Sequence, residues 1–177
     1  MNVLKLITAN PKSNNVSGFT LIEVLVSMIV LAIGLLGLAG MQAASLKNNQ
    51  SAFFRSQATQ LAYDMADRMR VNGTGLSNGN YNNQGAPNNP ADCELNSCTP
   101  AQMAGYDLAR WNTAIAGQLP GGSGWVCIDS TSDDGTPASP ACDGNGEAYA
   151  VKIWWTDRRE AEQEADRIVR FVMTFRP

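Results

Sequence analysis

From Phe19 to Met41 the chain reads FTLIEVLVSMIVLAIGLLGLAGM, an almost unbroken apolar run whose only charge is Glu23. About 20 apolar helical residues cross a bilayer core, so the run is long enough to span one. The helical pattern continues beyond it. QAASLKNNQSAFFRSQATQLAYDMADRMRVN follows with neither Pro nor Gly until Gly73. Leu46, Phe54, Ala58, Leu61, Met65 and Met69 recur there at helical spacing, with Gln50 in the one polar gap of the row. Polar residues fill most of the remainder, the pattern of an amphipathic helix lying on a domain. The spacing predicts one helix from Phe19 to about Val71, about 80 Å long at 1.5 Å per residue. Gly34, Gly37 and Gly40 make the second half of the apolar run its weakest part, each costing up to about 1 kcal/mol relative to Ala. Local unwinding there and close packing of a neighbouring helix are both open readings.

Past the helix the periodicity changes. Asn72 to Asp92 is rich in Asn and Gly and reads as a loop. Thr99-Pro100-Ala101-Gln102 has the form of a capping box with Pro at the first helical position. The helix it opens puts Ala104, Leu108, Trp111 and Ile115 on one face and ends at the Leu119-Pro120-Gly121-Gly122 turn. Strand-like runs follow at Trp125 to Ile128, Glu147 to Thr156 and Arg167 to Phe175. In the second run Tyr149, Val151, Ile153 and Trp155 alternate, and in the third Val169, Phe171, Met173 and Phe175 do. Period-two alternation predicts an antiparallel sheet with one face buried, its natural cover being the amphipathic half of the long helix. The expected class is α+β. The expected divisions are a segment at 1–18, an apolar helix at 19–41, its amphipathic continuation at 42–71, and a head at 72–177. Between the last two strands the polar run Arg158 to Asp166 reads as a solvated connection, or else as a charged docking surface.

Composition narrows the chemistry. The 177 residues carry 13 Lys plus Arg against 16 Asp plus Glu, a net charge of -3 that gives no reason to expect nucleic acid as a partner. Histidine is absent, which removes the commonest general base and the commonest metal ligand. There is no Gly-x-Ser-x-Gly and no phosphate-cradling Gly-x-x-x-x-Gly-Lys, so neither an enzyme nor a cofactor is expected. Cys93, Cys98, Cys127 and Cys142 all lie in the C-terminal half. An even count beyond a membrane-length segment reads as disulfides in an oxidising compartment, with three connectivities formally open. The local pairs Cys93–Cys98 and Cys127–Cys142 are favoured, since each closes a short loop rich in turn residues. A zinc site would need all four thiolates, and the Cys127–Cys142 interval is too long for the usual spacing. Asp143, Asn145 and Glu147 alternate like the opening of a calcium loop but lack its glycine and its closing acid, so they read as a solvated loop.

The apolar run allows two kinds of processing. A secretory signal is cut after the run, at a small-residue site such as Gly37-Leu38-Ala39. The other kind cuts before the run and keeps it. Residues 1–18 contain Lys5 and Lys12 and no acid, and Lys47 is the first charge past Glu23. The positive-inside rule puts the N-terminus in the cytoplasm and the head across the membrane. An acid inside a membrane helix costs free energy, and a disposable signal gains nothing from it. A retained helix can use it to meet a cation.

Gly18-Phe19-Thr20-Leu21-Ile22-Glu23-Val24 resembles the cleavage motif of type IV pilins and of the pseudopilins of type II secretion. The resemblance implies a leader cut after Gly18 by prepilin peptidase, methylation of the new N-terminal Phe19, and a role for Glu23 in neutralising the amine of a neighbouring subunit. Cys93, Cys98-Thr99-Pro100-Ala101-Gln102-Met103-Ala104, Asp107, Trp111, Leu119-Pro120-Gly121-Gly122, Val126-Cys127, Tyr149-Ala150-Val151 and Trp154-Trp155 together resemble the PilV-type minor pilins, also called type IV pilus modification proteins. That implies a low-abundance subunit in a bacterial inner membrane and then in a pilus, working with other minor and major pilins, the inner-membrane assembly platform and membrane lipid. A minor pseudopilin of type II secretion is the nearest alternative. A secreted binding domain with a discarded signal is the alternative of another class.

Overall fold

A computed structural model describes residues 18–82, 84–87, 89–157 and 168–176. The first helix, α1, runs unbroken over Leu21–Val71, 51 residues. Two compact units divide along it between Ala44 and Ser45.

In the second unit, α1 buries Ser51, Ala58, Leu61, Ala62, Met65, Ala66 and Met69. Leu46, expected at the head of this apolar row, is 70% exposed. The buried stripe begins instead at Ser51, with Phe54 partly covered. Helix α2 (Gly73–Ser77) comes next and corrects the loop expected over Asn72 to Asp92. Its cap is Asn72, whose Oδ1 accepts from the Gly75 amide at 3.2 Å while Nδ2 donates to the Pro100 carbonyl at 2.8 Å. Nearby, fully buried Tyr81 donates its hydroxyl to Asp107 Oδ2 at 2.7 Å. Burial first, and the Asp107 carboxylate second, push the Tyr81 phenol upward from its ordinary value.

Helix α3 (Pro100–Gln118) starts from the expected capping box: Thr99 accepts from the Gln102 amide, and the Gln102 side chain accepts from the Thr99 amide. Ala104, Leu108, Trp111 and Ile115 are buried on one face. The Trp111 indole N–H donates to the Leu61 carbonyl at 2.8 Å, which ties α3 to α1 without leaving a buried donor unmet.

Three antiparallel strands follow in the order β1 (Ser123–Ile128), β2 (Tyr149–Thr156), β3 (Ile168–Phe175). Val126, Tyr149, Val151, Ile153, Trp155, Val169 and Phe175 join the helical residues in one core, and Phe171 and Met173 pack partly against it. At Gly124 a Cβ would stand 2.4 Å from the Trp111 ring, so only glycine lets β1 approach α3 this closely. The polar run Arg158 to Asp166 lies outside the described residues.

One expectation for the sheet fails in an informative way. The outer face of β2 is not in water: Ala150, Lys152 and Trp154 are as buried as the core-facing residues. Residues 129–143 lie over them. Lys152 Nζ sits 2.5 Å from Asp129 Oδ2 and 2.8 Å from Asp134 Oδ1, and donates to the Pro140 carbonyl at 2.9 Å. Arg170 on β3 holds the same segment through Asp133 Oδ1 and the Asp133 and Gly135 carbonyls. Its start is tied by Asp143, whose carboxylate accepts from the Ser130 hydroxyl, the Ser130 amide and the Asn145 amide. Those donors, the Ser130 hydroxyl first, hold the Asp143 carboxyl well below the usual carboxylate range. Asp134 is lowered too, chiefly by its bond from Lys152 and then by that from Thr131. Both values lie below those of the unfolded chain. Their contribution is therefore present above the ordinary carboxylate value and is lost only as pH falls through the depressed one.

The cysteines pair as Cys93–Cys98 and Cys127–Cys142. Cys127 is fully buried, whereas Cys93, Cys98 and Cys142 are half-buried. Thiol labelling of the native protein should find no reactive cysteine. On titration with reductant, Cys127 should label last, because its sulfur has the least access. Equal labelling of all four from the outset would contradict this burial difference.

Candidate processing and assembly site

Helices need their first amides satisfied, and the N-terminal junction is built around that need. Gly18, Phe19 and Thr20 precede α1 in irregular backbone, and the Thr20 carbonyl accepts from the Glu23 amide at 3.1 Å. Among the described residues, no atom beyond its chain neighbours lies within 4 Å of where a Gly18 Cβ would be, and Phe19 is 81% exposed. Glycine leaves the backbone there open to close approach.

Glu23 sits in the first turn of α1, where the helix dipole favours a negative charge. It is exposed, one turn beyond Phe19. Beyond it, Val24, Leu25, Val26, Met28, Ile29, Val30, Leu31, Ile33, Leu35, Leu36 and Leu38 are all exposed on a helix long and apolar enough to cross a membrane. Apolar surface of this extent on one helix calls for lipid or neighbouring helices as its solvent. Among the described residues, nothing beyond the helix's own backbone lies within 4 Å of the missing side chains of Gly34, Gly37 and Gly40, and the helix continues through them.

Sequence reasoning named Gly18, Phe19 and Glu23, and the structure brings these three together within the first turn and its approach. It places the cysteines elsewhere, in the head. Cys127 and Cys142 do lie with Asp129 in a cluster of metal-ligating type. Both sulfurs are spent in a disulfide and Asp129 is paired with Lys152, so the cluster does not offer the thiolates a zinc ion needs. The residues that sequence reasoning missed are Lys152 and its acidic partners. The available signal was a lysine in the middle of Tyr149-Ala150-Val151-Lys152-Ile153-Trp154-Trp155, on the same side as a tryptophan.

An exposed N-terminal helix long and apolar enough to cross a membrane, an acid in its first turn and an α+β head fit one class, the membrane-anchored subunits. Residues 13–39 match the prokaryotic N-terminal methylation motif, and residues 40–109 match the family model described as type IV pilin Tt1218. Together the two matches cover residues 13–109 and support a type IV pilin, a family of structural subunits rather than catalysts. The methylation motif implies processing by prepilin peptidase and assembly with other pilins. No curated protein and no solved structure gave a significant match.

Proposed function

We propose that the chain is a minor, PilV-type subunit that helps to prime a type IV pilus. Prepilin peptidase cuts between Gly18 and Phe19 and the new amine is methylated. The retained helix, N-terminus cytoplasmic, anchors the head on the far side of the inner membrane until the assembly platform moves the subunit into a filament. The observation that carries this reading is the junction itself: exposed, irregular backbone at Gly18 and Phe19, a helix from Leu21, and Glu23 in its first turn. Glu23 then meets the Phe19 ammonium of a neighbour. In a bundle of apolar helices each charge relieves the desolvation of the other, and this sets the register between subunits. The match of residues 40–109 to a type IV pilin favours the pilus over type II secretion.

Gly18→Val tests the cut. The added branched side chain should leave an unprocessed precursor in the membrane, seen as a single heavier band, with no subunit in sheared pili. Normal maturation of this variant would rule out the Gly18–Phe19 bond as the site.

A further inference from the structure

The two edges of the sheet are treated differently. On β1 every second backbone group that faces away from β2 is already taken. The Gly124 amide donates to Asn112 Oδ1 at 2.9 Å, the Val126 amide and carbonyl bond to Gln84 at 2.9 Å each, and the Ile128 amide donates to Asn82 Oδ1 at 2.8 Å. That edge is sealed. On the other side, β3 pairs with β2 through eight residues in unbroken register, and among the described residues no strand lies on its outer edge.

Exposed edges are normally blunted by brevity, Pro, bulges or free charge. β3 has none of these. Its sequence is Ile-Val-Arg-Phe-Val-Met-Thr-Phe, and its one charge, Arg170, is spent on Asp133 and the Gly135 carbonyl. The core face also ends open here, since Phe171 and Met173 are only partly buried. A row of main-chain donors and acceptors beside half-covered apolar side chains is what an added strand completes.

We propose that the outer edge of β3 docks a single extended segment donated by a different protein chain, adding a fourth strand to the sheet. Its residues facing the helices are apolar and cover Phe171 and Met173. Those on the other face are polar and favour Lys or Arg, because buried Lys152 is matched by buried Asp129 and the exposed Asp133 and Asp134 then outnumber Arg170 there. A second copy of this chain fits less well. Two-fold pairing of β3 with β3 would bring two exposed Asp133 carboxylates, each tied to Arg170 near mid-strand, toward the axis. The inference does not require the pilus reading, since the identity of the donor is a separate result.

Two measurements on the full-length chain test it. A photo-crosslinking residue placed singly at Ile168, Val172 or Thr174, all on the outer face of β3, should trap one donor peptide in cells. The yield should exceed that from Thr113 on α3 roughly tenfold. Sites two and four residues apart on β3 should map to donor residues two and four apart, which only a strand ladder produces. Yields equal to the Thr113 control, trapping of a second copy, or attachment points without that progression would each overturn the proposal. In the unmodified chain, isolated in detergent, outward β3 amides should exchange hydrogen roughly tenfold faster than the sealed amides of Gly124, Val126 and Ile128. Equal protection of the two edges would also overturn it, whatever the crosslinks show. A donor that is not a pilus component would count against the proposed function and leave the docking edge standing.

Discussion

Glu23→Ala is expected to give a protein that is still cleaved, still sits in the membrane, and is nearly absent from sheared pili. In the proposed function, cleavage leaves an ammonium at Phe19 that must enter a bundle of apolar helices to polymerise. Removing one member of a buried ion pair leaves the other uncompensated, at a cost of about 3–5 kcal/mol. At about 1.4 kcal/mol for each factor of ten, that is a loss of roughly two to three and a half orders of magnitude in incorporation. Glu23→Gln separates charge from shape: it keeps the side-chain length but not the charge, and should fail as Glu23→Ala does. Quantitative immunoblots of membrane and sheared-pilus fractions check both. Incorporation of either variant at the wild-type level would remove Glu23 from assembly.

The second large effect is in the head. Lys152→Met should destabilise it by about 3–5 kcal/mol, because Asp129 is then a buried carboxylate with no cation. Against a typical total stability of about 5–15 kcal/mol, this is severe. The lost bonds to Asp134 and Pro140 would also loosen residues 129–143, leaving Arg170 and the Cys127–Cys142 bridge to hold them to the sheet. The double variant Lys152→Met with Asp129→Leu should recover much of the loss, since no charge then remains buried without a partner. The four tryptophans, Trp111, Trp125, Trp154 and Trp155, all lie in the head, so their fluorescence during denaturant unfolding in detergent reports it alone. A single variant within about 0.5 kcal/mol of wild type, the scatter of ordinary surface changes, would show that the ion pair holds nothing.

What could be read from the sequence follows the range of the interactions. The Thr99–Gln102 capping box, the α3 face through Trp111 and the alternation in β2 and β3 are local patterns, and the elements formed as those patterns predict. The head-facing stripe of α1 was legible from Ala58 to Met69, but Leu46 extends the same spacing past the point where the domain covers the helix. Periodicity says which face is apolar, not where its cover ends. Helix α2 was hidden in an Asn/Gly tract, because its cap is a long-range arrangement in which Asn72 reaches Tyr81 and Pro100. The covered outer face of β2 was hidden for the same reason. Residues 129–143 have no period, and nothing local says that Lys152 meets Asp129 and Asp134. A lysine and a tryptophan sharing the side assumed to face water was the one clue. The motif around Gly18, Phe19 and Glu23 could be read without the fold, since it lies in residue order along a single segment.

That junction makes one demand of the finished protein: the oily segment must survive maturation. Intact-mass spectrometry of the exported protein examines this directly. The predicted product has the mass of residues 19–177 with both disulfides closed and one methyl group on the amine of Phe19. A product that begins at Gly40 would show a discarded signal instead, leaving no helix through which a filament could form.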